Sequence, residues 1–202
     1  MKNAVINVDL IRQVVDSFPN GGNWKVFECR KVIREPNTLL ATWKDLKPLE
    51  HTAGVYAILL PMMLFDRELT LPLHAPKGKP KIKFSFKLKP LPGDRYGVVY
   101  VGRSTKFGQR WHAHLSLGER IASAQVKYGL MDCKLIAGQR RALAYLRENG
   151  RVVYHVLNGP ENCANRDIVE LTLCARFKPP FNIKSAERGR SPLLTLFSPI
   201  WL

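Results

Sequence analysis

GVYAI at residues 54–58 and VVYVG at residues 98–102 are the two stretches that decide the fold of this chain. Each sets one tyrosine, Tyr56 or Tyr100, within a short run of apolar and β-branched residues, a composition typical of a strand. Gly102 ends the second run and permits a tight exit from it. The two runs therefore predict a pair of strands that each carry one tyrosine.

The segment RWHAH follows the second strand closely, within a helix that we predict over residues 107–117. Arg110 and His114 are four residues apart, so they share one face of that helix. Arginine can direct two donors to phosphate oxygens, and histidine can move a proton near neutral pH. The pair suits an anionic phosphodiester, although a solvated face of a basic protein would show the same spacing.

Glu170 is the only acidic residue within the apolar stretch IVELTLCA of a later predicted helix. A carboxylate among apolar neighbours is costly to desolvate unless a cation or hydrogen bonds compensate. Because Mg²⁺ keeps most of its waters, one carboxylate can suffice to hold it. A salt bridge with an arginine is the alternative interpretation. Asp167, one turn earlier, is interpreted as a helix N-terminal charge rather than as a ligand.

Tyrosines in strands are commonly half-buried packing residues, which is the plain interpretation of Tyr56 and Tyr100. A phenol can take a proton from water only if positive charge lowers its pKa from about 10. Arg103, Arg110 and a bound metal would supply that charge. Arg103 also follows the second strand where a phosphate can sit, so we predict that it contacts DNA.

The charge balance of the chain points to a polyanionic partner. There are 32 Lys and Arg residues against 16 Asp and Glu residues, which gives a formal net charge of +16. Nucleic acid is the first candidate, and an anionic membrane is unlikely because no long basic amphipathic helix is present. The length of 202 residues and the ordinary hydrophobic content predict a single domain over residues 1–202.

The cysteines and the N-terminal segment bear on the compartment. The four cysteines have neither C-x-x-C pairing nor zinc-like spacing with histidine, so we expect reduced thiols. The segment MKNAVINVDLIRQVV lacks a continuous apolar core, and no stretch approaches transmembrane length. The expected location is the cytoplasm, with no membrane partner.

A lysine-rich segment, KGKPKIKFSFKLK at residues 77–89, separates the two tyrosine strands. Apolar and lysine side chains alternate along it, which predicts a strand with one core-facing and one basic face. The basic face can contact a phosphate backbone. An edge strand kept soluble by lysines is the alternative. The lysines predicted to bind DNA are Lys79, Lys81, Lys83 and Lys87.

Other segments carry weaker signals. Helical spacing of apolar residues predicts a helix over residues 8–18, whereas residues 26–33 fit a strand or a short helix equally well. A third strand is predicted over residues 152–157. Asn165 is predicted to cap a helix that runs to about Lys178, because the two prolines that follow forbid its continuation.

In these residues the chain resembles the GIY-YIG nuclease superfamily. GVY at residues 54–56 matches the first motif of that family and YVG at residues 100–102 the second, each with valine in place of isoleucine. The resemblance covers roughly residues 52–183, with five elements in the family's order. The arginine, histidine, glutamate and asparagine of the family correspond to Arg110, His114, Glu170 and Asn182.

The resemblance implies an α+β fold: a small, mainly antiparallel three-stranded sheet flanked by helices. It also implies hydrolysis of DNA phosphodiesters with one Mg²⁺ or Mn²⁺ ion. On that basis Tyr56 is the candidate base, assisted by His114, and Glu170 carries the metal. Arg110 and Tyr100 would hold and polarise the phosphate, and Asn182 would close the site.

The chain departs from compact family members in the long interval between its two tyrosine motifs. A basic insertion over residues 61–97 accounts for that interval. Residues 1–50 and the tail at 185–202 are further additions to the core. Stand-alone restriction enzymes of the superfamily carry additions of this kind, and we expect any sequence preference to reside in them.

Three functions follow from these observations. The first is a divalent-metal-dependent DNA endonuclease, restriction-like or carried by a mobile element, acting as a monomer or as a homodimer on DNA. The second keeps the chemistry but directs it at branched, damaged or single-stranded DNA, or serves as a toxin. The third is a DNA-binding protein on the same fold that no longer cuts.

Overall fold

The computed structural model describes residues 6–31, 49, 51–72, 83–115 and 125–182. Within these ranges the helices are α1 (Val8–Asp16), α2 (Phe107–Leu115), α3 (Gln125–Asp132), α4 (Gln139–Asn149) and α5 (Cys163–Phe177). The strands are β1 (Lys25–Glu28), β2 (Gly54–Pro61), β3 (Leu69–Pro72), β4 (Lys83–Phe86), β5 (Tyr96–Ser104) and β6 (Arg151–Val156). None of the described helices has the length and apolar character needed to cross a membrane.

The main sheet is antiparallel throughout, with the strand order β1-β6-β2-β5. The α+β class and the mainly antiparallel sheet flanked by helices are confirmed. The predicted number of three strands is wrong, because β1 pairs with β6 as a fourth strand. The ambiguous segment at residues 26–33 begins within this strand, and a single 3₁₀ turn follows at Cys29–Lys31.

Strand β2 lies inside the sheet and is buried along its whole length. Tyr56, Ile58 and Leu60 point to a core that includes residues of α2, α3 and α4. The alternate residues of β2 point to the opposite core, which α1 and α5 cover. Burial of both faces explains why the sequence of β2 is a continuous apolar run rather than an alternation.

Helix α5 begins two residues before the predicted cap. Asn165 lies inside the helix, so its prediction as the N-cap is wrong. Its Oδ1 accepts a hydrogen bond from the backbone N–H of Asn7 at 2.9 Å, and its Nδ2 donates to Asn162 Oδ1 at 3.0 Å. This asparagine therefore ties the start of α1 to α5. The predicted end is confirmed, since Lys178 turns into the left-handed region after Phe177.

The insertion contributes a separate two-stranded sheet in which β3 pairs antiparallel with β4. Strand β4 lies within the predicted lysine-rich strand and confirms it over four residues. Lys79 and Lys81 lie outside the described residues, as does the tail at 185–202. Lys83 lies at the start of β4, and Lys87 is exposed just after its end.

Candidate active site

The two predicted tyrosines lie side by side because β2 and β5 are paired. Tyr56 stands opposite Gly102, and Tyr100 stands opposite Ile58 on the same face, so the two rings are diagonal neighbours 6.0 Å apart. A Cβ atom at Gly102 would lie 2.8 Å from the Tyr56 hydroxyl and 2.8 Å from the Tyr100 ring. Only a glycine there leaves the Tyr56 hydroxyl its space, so Gly102 is part of the site.

Helix α2 brings the predicted arginine and histidine onto the Tyr56 hydroxyl. The helix is anchored by Phe107 and Trp111, which are buried against the sheet. Arg110 Nε donates to Tyr56 Oη at 3.2 Å, and Tyr56 Oη lies 2.8 Å from His114 Nε2. Because the arginine can only donate, the phenol proton is free to go to the histidine nitrogen. Tyr56 therefore connects Arg110 to His114.

His114 is held in its neutral form. Burial lowers its pKa to about 3, and the positive charges of Arg110 and Lys127 lower it in the same direction. With Nε2 accepting from Tyr56, the ring proton is on Nδ1, which has no hydrogen-bond partner within the described part of the chain. The side chain is thus a proton acceptor at Nε2 across the physiological pH range.

The pKa values of the two tyrosines run opposite to the expectation from sequence. Burial raises the pKa of Tyr56 well above its ordinary value, and the neighbouring Tyr100 adds to this effect. Burial also raises the pKa of Tyr100. Arg110 opposes both increases but does not outweigh them. Burial outweighs the positive charge of Arg110 because both phenols are almost completely removed from water.

Glu170 approaches the site from the α5 side of the sheet. Its carboxylate is in an ion pair with Arg103, with Nε 3.1 Å from Oε2, and the same guanidinium bonds to Asp167. The salt bridge proposed as the alternative for Glu170 is therefore present. Burial raises the pKa of Glu170, whereas Arg103 and Arg110 lower it. The charge of Glu170 in turn raises the pKa of Tyr100, so the carboxylate is electrostatically coupled to the tyrosine group.

Glu170 is the residue of this group that can hold a divalent cation. Among the described residues there is no cluster of three or more His, Cys, Asp or Glu side chains that would form a closed metal site. The Glu170 side chain keeps 21% of its surface exposed, and the ion pair with Arg103 uses only Oε2. A partly exposed single carboxylate fits Mg²⁺ bound mostly by waters, so the residues fit the predicted cofactor in this limited form.

Asn182 lies next to the site but does not enter it. Its Oδ1 accepts from the backbone N–H of Val101 at 2.8 Å, and its Nδ2 donates to the carbonyl of the same residue at 2.6 Å. Val101 belongs to β5, the outer strand of the main sheet. Asn182 therefore completes the free edge of that strand, beside the tyrosines, rather than bonding to their hydroxyl groups.

Most of the residues predicted from sequence fall into two groups, while Arg103, paired with Glu170, and Asn182, bonded to β5, lie beside the first of them. The first group is in direct contact around the Tyr56 hydroxyl, with Glu170 coupled to it by charge. The second group lies apart from it on the insertion or outside the described residues. Sequence reasoning missed two neighbours, Asp167 as a partner of Arg103 and Lys127 beside His114. Asp167 lies three residues before Glu170, a spacing that indicates a shared helix face and could have suggested a shared partner. Nothing in the sequence indicates that Lys127 lies near His114. The first group comprises Tyr56, Tyr100, Arg110 and His114. The second comprises Lys79, Lys81, Lys83 and Lys87.

No protein-family model, curated protein or solved structure matches this chain. The interpretation of the site therefore depends on its own residues. The site combines a buried phenol, a neutral histidine, a guanidinium and one partly exposed carboxylate.

Proposed function

We propose that this chain is a divalent-metal-dependent DNA endonuclease of the GIY-YIG type. The observation that carries the proposal is the Tyr56 hydroxyl, which lies between a donor on Arg110 and an acceptor on His114. Of these two partners, only His114 can accept the phenol proton. Such a directed proton path is what hydrolysis of a phosphodiester by water requires.

Proton transfer follows from the two hydrogen bonds. In the proposed step, DNA binding admits a water to the buried Tyr56 hydroxyl, and this water attacks the phosphorus while the P–O bond to one sugar oxygen breaks. Tyr56 Oη takes the proton of the water and gives its own to His114 Nε2, and the leaving oxygen takes its proton from solvent. Because the two transfers are coupled, no free phenolate has to form, which resolves the difficulty of a raised Tyr56 pKa. In this scheme Tyr56 is the relay, which refines its assignment as the base, and His114 is the acceptor. The pKa of His114 is about 3 in the protein alone, so the scheme requires the negative charge of the bound phosphate to raise it.

Arg110 supplies the positive charge for the phosphate. Burial alone would lower its pKa, but Tyr56 and Tyr100 raise it above the ordinary value, so the guanidinium stays charged. Arg110 bonds to Tyr56 through Nε and also makes a side-chain hydrogen bond to Tyr100, and the N–H donors that these two bonds leave over are suited to phosphate oxygens. Charge fixed in advance beside the scissile phosphate stabilises the transition state without reorganisation.

Glu170 would hold the Mg²⁺ or Mn²⁺ ion. When bound, such an ion supplies Lewis-acid charge that polarises the phosphate and the attacking water. The carboxylate contributes the negative charge that attracts the ion, and the buried residues Val169 and Leu173 fix its helix against the sheet. The formal charge of +16 favours DNA as the substrate. We favour a restriction-like enzyme because residues 61–97 and 1–50 extend the core.

The test is incubation of supercoiled plasmid with the protein in Mg²⁺, in EDTA, and with the Glu170→Ala variant. Cleavage should require Mg²⁺ and Glu170, while salt-sensitive DNA binding should survive both changes. Glu148→Ala is the matched control, because Glu148 is an exposed acid on α4. Discrete linear fragments would favour a restriction enzyme, and nicks a structure-specific one. Binding without any cutting would leave a DNA-binding module, and cutting by Glu170→Ala would refute the metal assignment.

A further inference from the structure

Arg103 forms a bridge between two carboxylates of α5. Its Nε pairs with Glu170 Oε2 at 3.1 Å, and its NH1 nitrogen bonds to Asp167 Oδ1. Asp167 and Glu170 are three residues apart and therefore lie on neighbouring turns of one helix face. Arg103 itself is at the end of β5, opposite Val55. Two carboxylates of α5 thus share the guanidinium of one arginine on β5.

This bridge places a positive group on the carboxylate that the proposed function assigns to the metal. A divalent cation on either oxygen of Glu170 would lie close to the guanidinium on Oε2, and the two positive charges would repel each other. Binding of the cation must therefore overcome the repulsion from the Arg103 guanidinium. Without Asp167, release of Glu170 would leave the guanidinium without a carboxylate partner among the contacts described above. With Asp167, one ion pair of the bridge can persist.

We propose that Arg103 is a positioning residue that exchanges partners when the metal binds. In the metal-free protein it holds both carboxylates; with the cation on Glu170, the Nε bond to Oε2 is broken and Asp167 retains the guanidinium. The inference rests on the proposed metal role of Glu170. Arg103 then sets the cation affinity of the site, and Asp167 relieves part of the competition.

The surroundings of the three side chains permit this exchange. The Arg103 side chain is 45% exposed and that of Asp167 is 38% exposed, so both can move at the surface. Glu170 is the less exposed partner, and its helix is anchored by buried residues on either side in sequence. The exchange therefore needs rotation of one arginine side chain and no movement of β5 or α5.

The exchange predicts opposite effects of two substitutions on binding of Mn²⁺, measured by calorimetry in the absence of DNA. Arg103→Gln removes the competitor and should tighten Mn²⁺ binding about twofold to fivefold, the range expected for a partly exposed charge pair. Asp167→Asn should weaken binding by a similar factor, because Arg103 then depends on Glu170 alone. Arg103→Lys, which keeps the charge but loses the fork, should fall between wild type and Arg103→Gln.

The double variant Arg103→Gln/Asp167→Asn separates the exchange from simple loss of negative charge. If Asp167 acts through Arg103, the double variant should bind Mn²⁺ as tightly as Arg103→Gln does. A further weakening in the double variant would overturn the exchange, as would unchanged or weaker binding by Arg103→Gln in a protein with a wild-type melting temperature. Glu170→Gln distinguishes the metal assignment of Glu170 from the partner exchange of Arg103. If Glu170→Gln weakens Mn²⁺ binding and Arg103→Gln leaves it unchanged, the exchange alone is refuted. If Glu170→Gln binds Mn²⁺ as tightly as the wild type, the metal assignment and the exchange are both refuted.

Discussion

The Tyr56 hydroxyl lies between two side chains of opposite character, with the Tyr100 hydroxyl as a further neighbour. Arg110 can only donate to it, and neutral His114 can accept from it. Tyr154 offers a comparison, because it stands directly opposite Tyr56 on β6. The Tyr154 ring packs against Phe107 and Trp111. The two tyrosines occupy paired positions in the sheet, and what distinguishes Tyr56 is the pair of hydrogen-bond partners on its hydroxyl.

Tyr56→Phe should abolish most of the cleavage activity and leave DNA binding intact. Loss of a proton-transferring group typically costs about 10²-fold to 10⁴-fold in rate, and phenylalanine keeps the packing of the ring. The measurement is single-turnover cleavage of plasmid at saturating protein. Tyr154→Phe is the matched control and should cleave at the wild-type rate. Equal losses in both variants would contradict the role given to the Tyr56 hydroxyl.

His114 should make the stability of the protein depend on pH in a defined direction. Its pKa is about 3 in the folded state, against 6.5 as the ordinary value. Between these values the unfolded chain binds a proton that the folded chain does not, so stability falls as pH decreases below about 6.5. The slope from one such group is at most about 1.4 kcal/mol per pH unit.

His114→Gln should reduce this slope. The free energy of unfolding, measured by urea titration at pH 7 and at pH 5.5, should differ less in the variant than in the wild type. The lowered pKa of His155 contributes a slope of the same sign to both proteins, so it cancels in the comparison. Identical pH dependence in the two proteins would mean that His114 already titrates near its ordinary pKa in the folded state.

Residue types and spacing singled out Tyr56, Tyr100, Arg110 and His114, and the family resemblance implied that they lie around one site. They were not sufficient for the pKa values, because the direction of each shift depends on burial, which exceeds the effect of Arg110. They also could not assign Arg103. A surface arginine beside a strand end fits a phosphate or a carboxylate equally well, and only the position of α5 gives it Asp167 and Glu170.

At the scale of elements, the pairing of β2 with β5 makes one glycine a functional residue. Gly102→Ala should reduce cleavage strongly, because the added Cβ would lie 2.8 Å from the Tyr56 hydroxyl and displace it from His114. Gly97→Ala, on the same strand, is the matched control. Its Cβ would meet Leu88 and Met62 at the same distance of 2.8 Å, away from the site.

Both alanine variants should lose about 1–3 kcal/mol of unfolding free energy, the usual cost of overpacking a core. Only Gly102→Ala should lose activity out of proportion to its stability. The measurements are a urea titration and a cleavage rate for each variant at a temperature where both are folded. If cleavage follows stability in the same way in both variants, Gly102 has only a packing role.

Elements with a long or unmixed pattern could be predicted, and short ones could not. Strand β2 is an eight-residue apolar run, and β6 is rich in β-branched residues, so both are evident from sequence. Strand β1 has four residues, Lys-Val-Phe-Glu, too few to separate period two from a helical period. Strand β3 ends in Pro72, and the two prolines of its segment conceal it.

At the scale of the whole molecule, the strand order is the feature that sequence could not supply. The order β1-β6-β2-β5 places the strand of the second tyrosine at the edge of the sheet. That position allows α2 to approach the site from one face and α5 from the other. Among the described residues no strand pairs with the outer side of β5, and there Asn182 binds both backbone groups of Val101. Asn182 therefore satisfies the backbone hydrogen-bonding groups of Val101 on the outer side of β5.

Asn182→Ala should lower the free energy of unfolding by about 3 kcal/mol, because two buried backbone groups of Val101 lose their partners. Asn149→Ala is the matched control. Its side chain donates to Tyr145 within α4, a local bond whose loss should cost less than about 1 kcal/mol. Urea titration gives both values. An open strand edge can pair with another chain, so Asn182→Ala should also self-associate in light scattering while Asn149→Ala stays like the wild type. Equal stability of the two variants would mean that water replaces both bonds to Val101, and the edge of β5 would then need no asparagine.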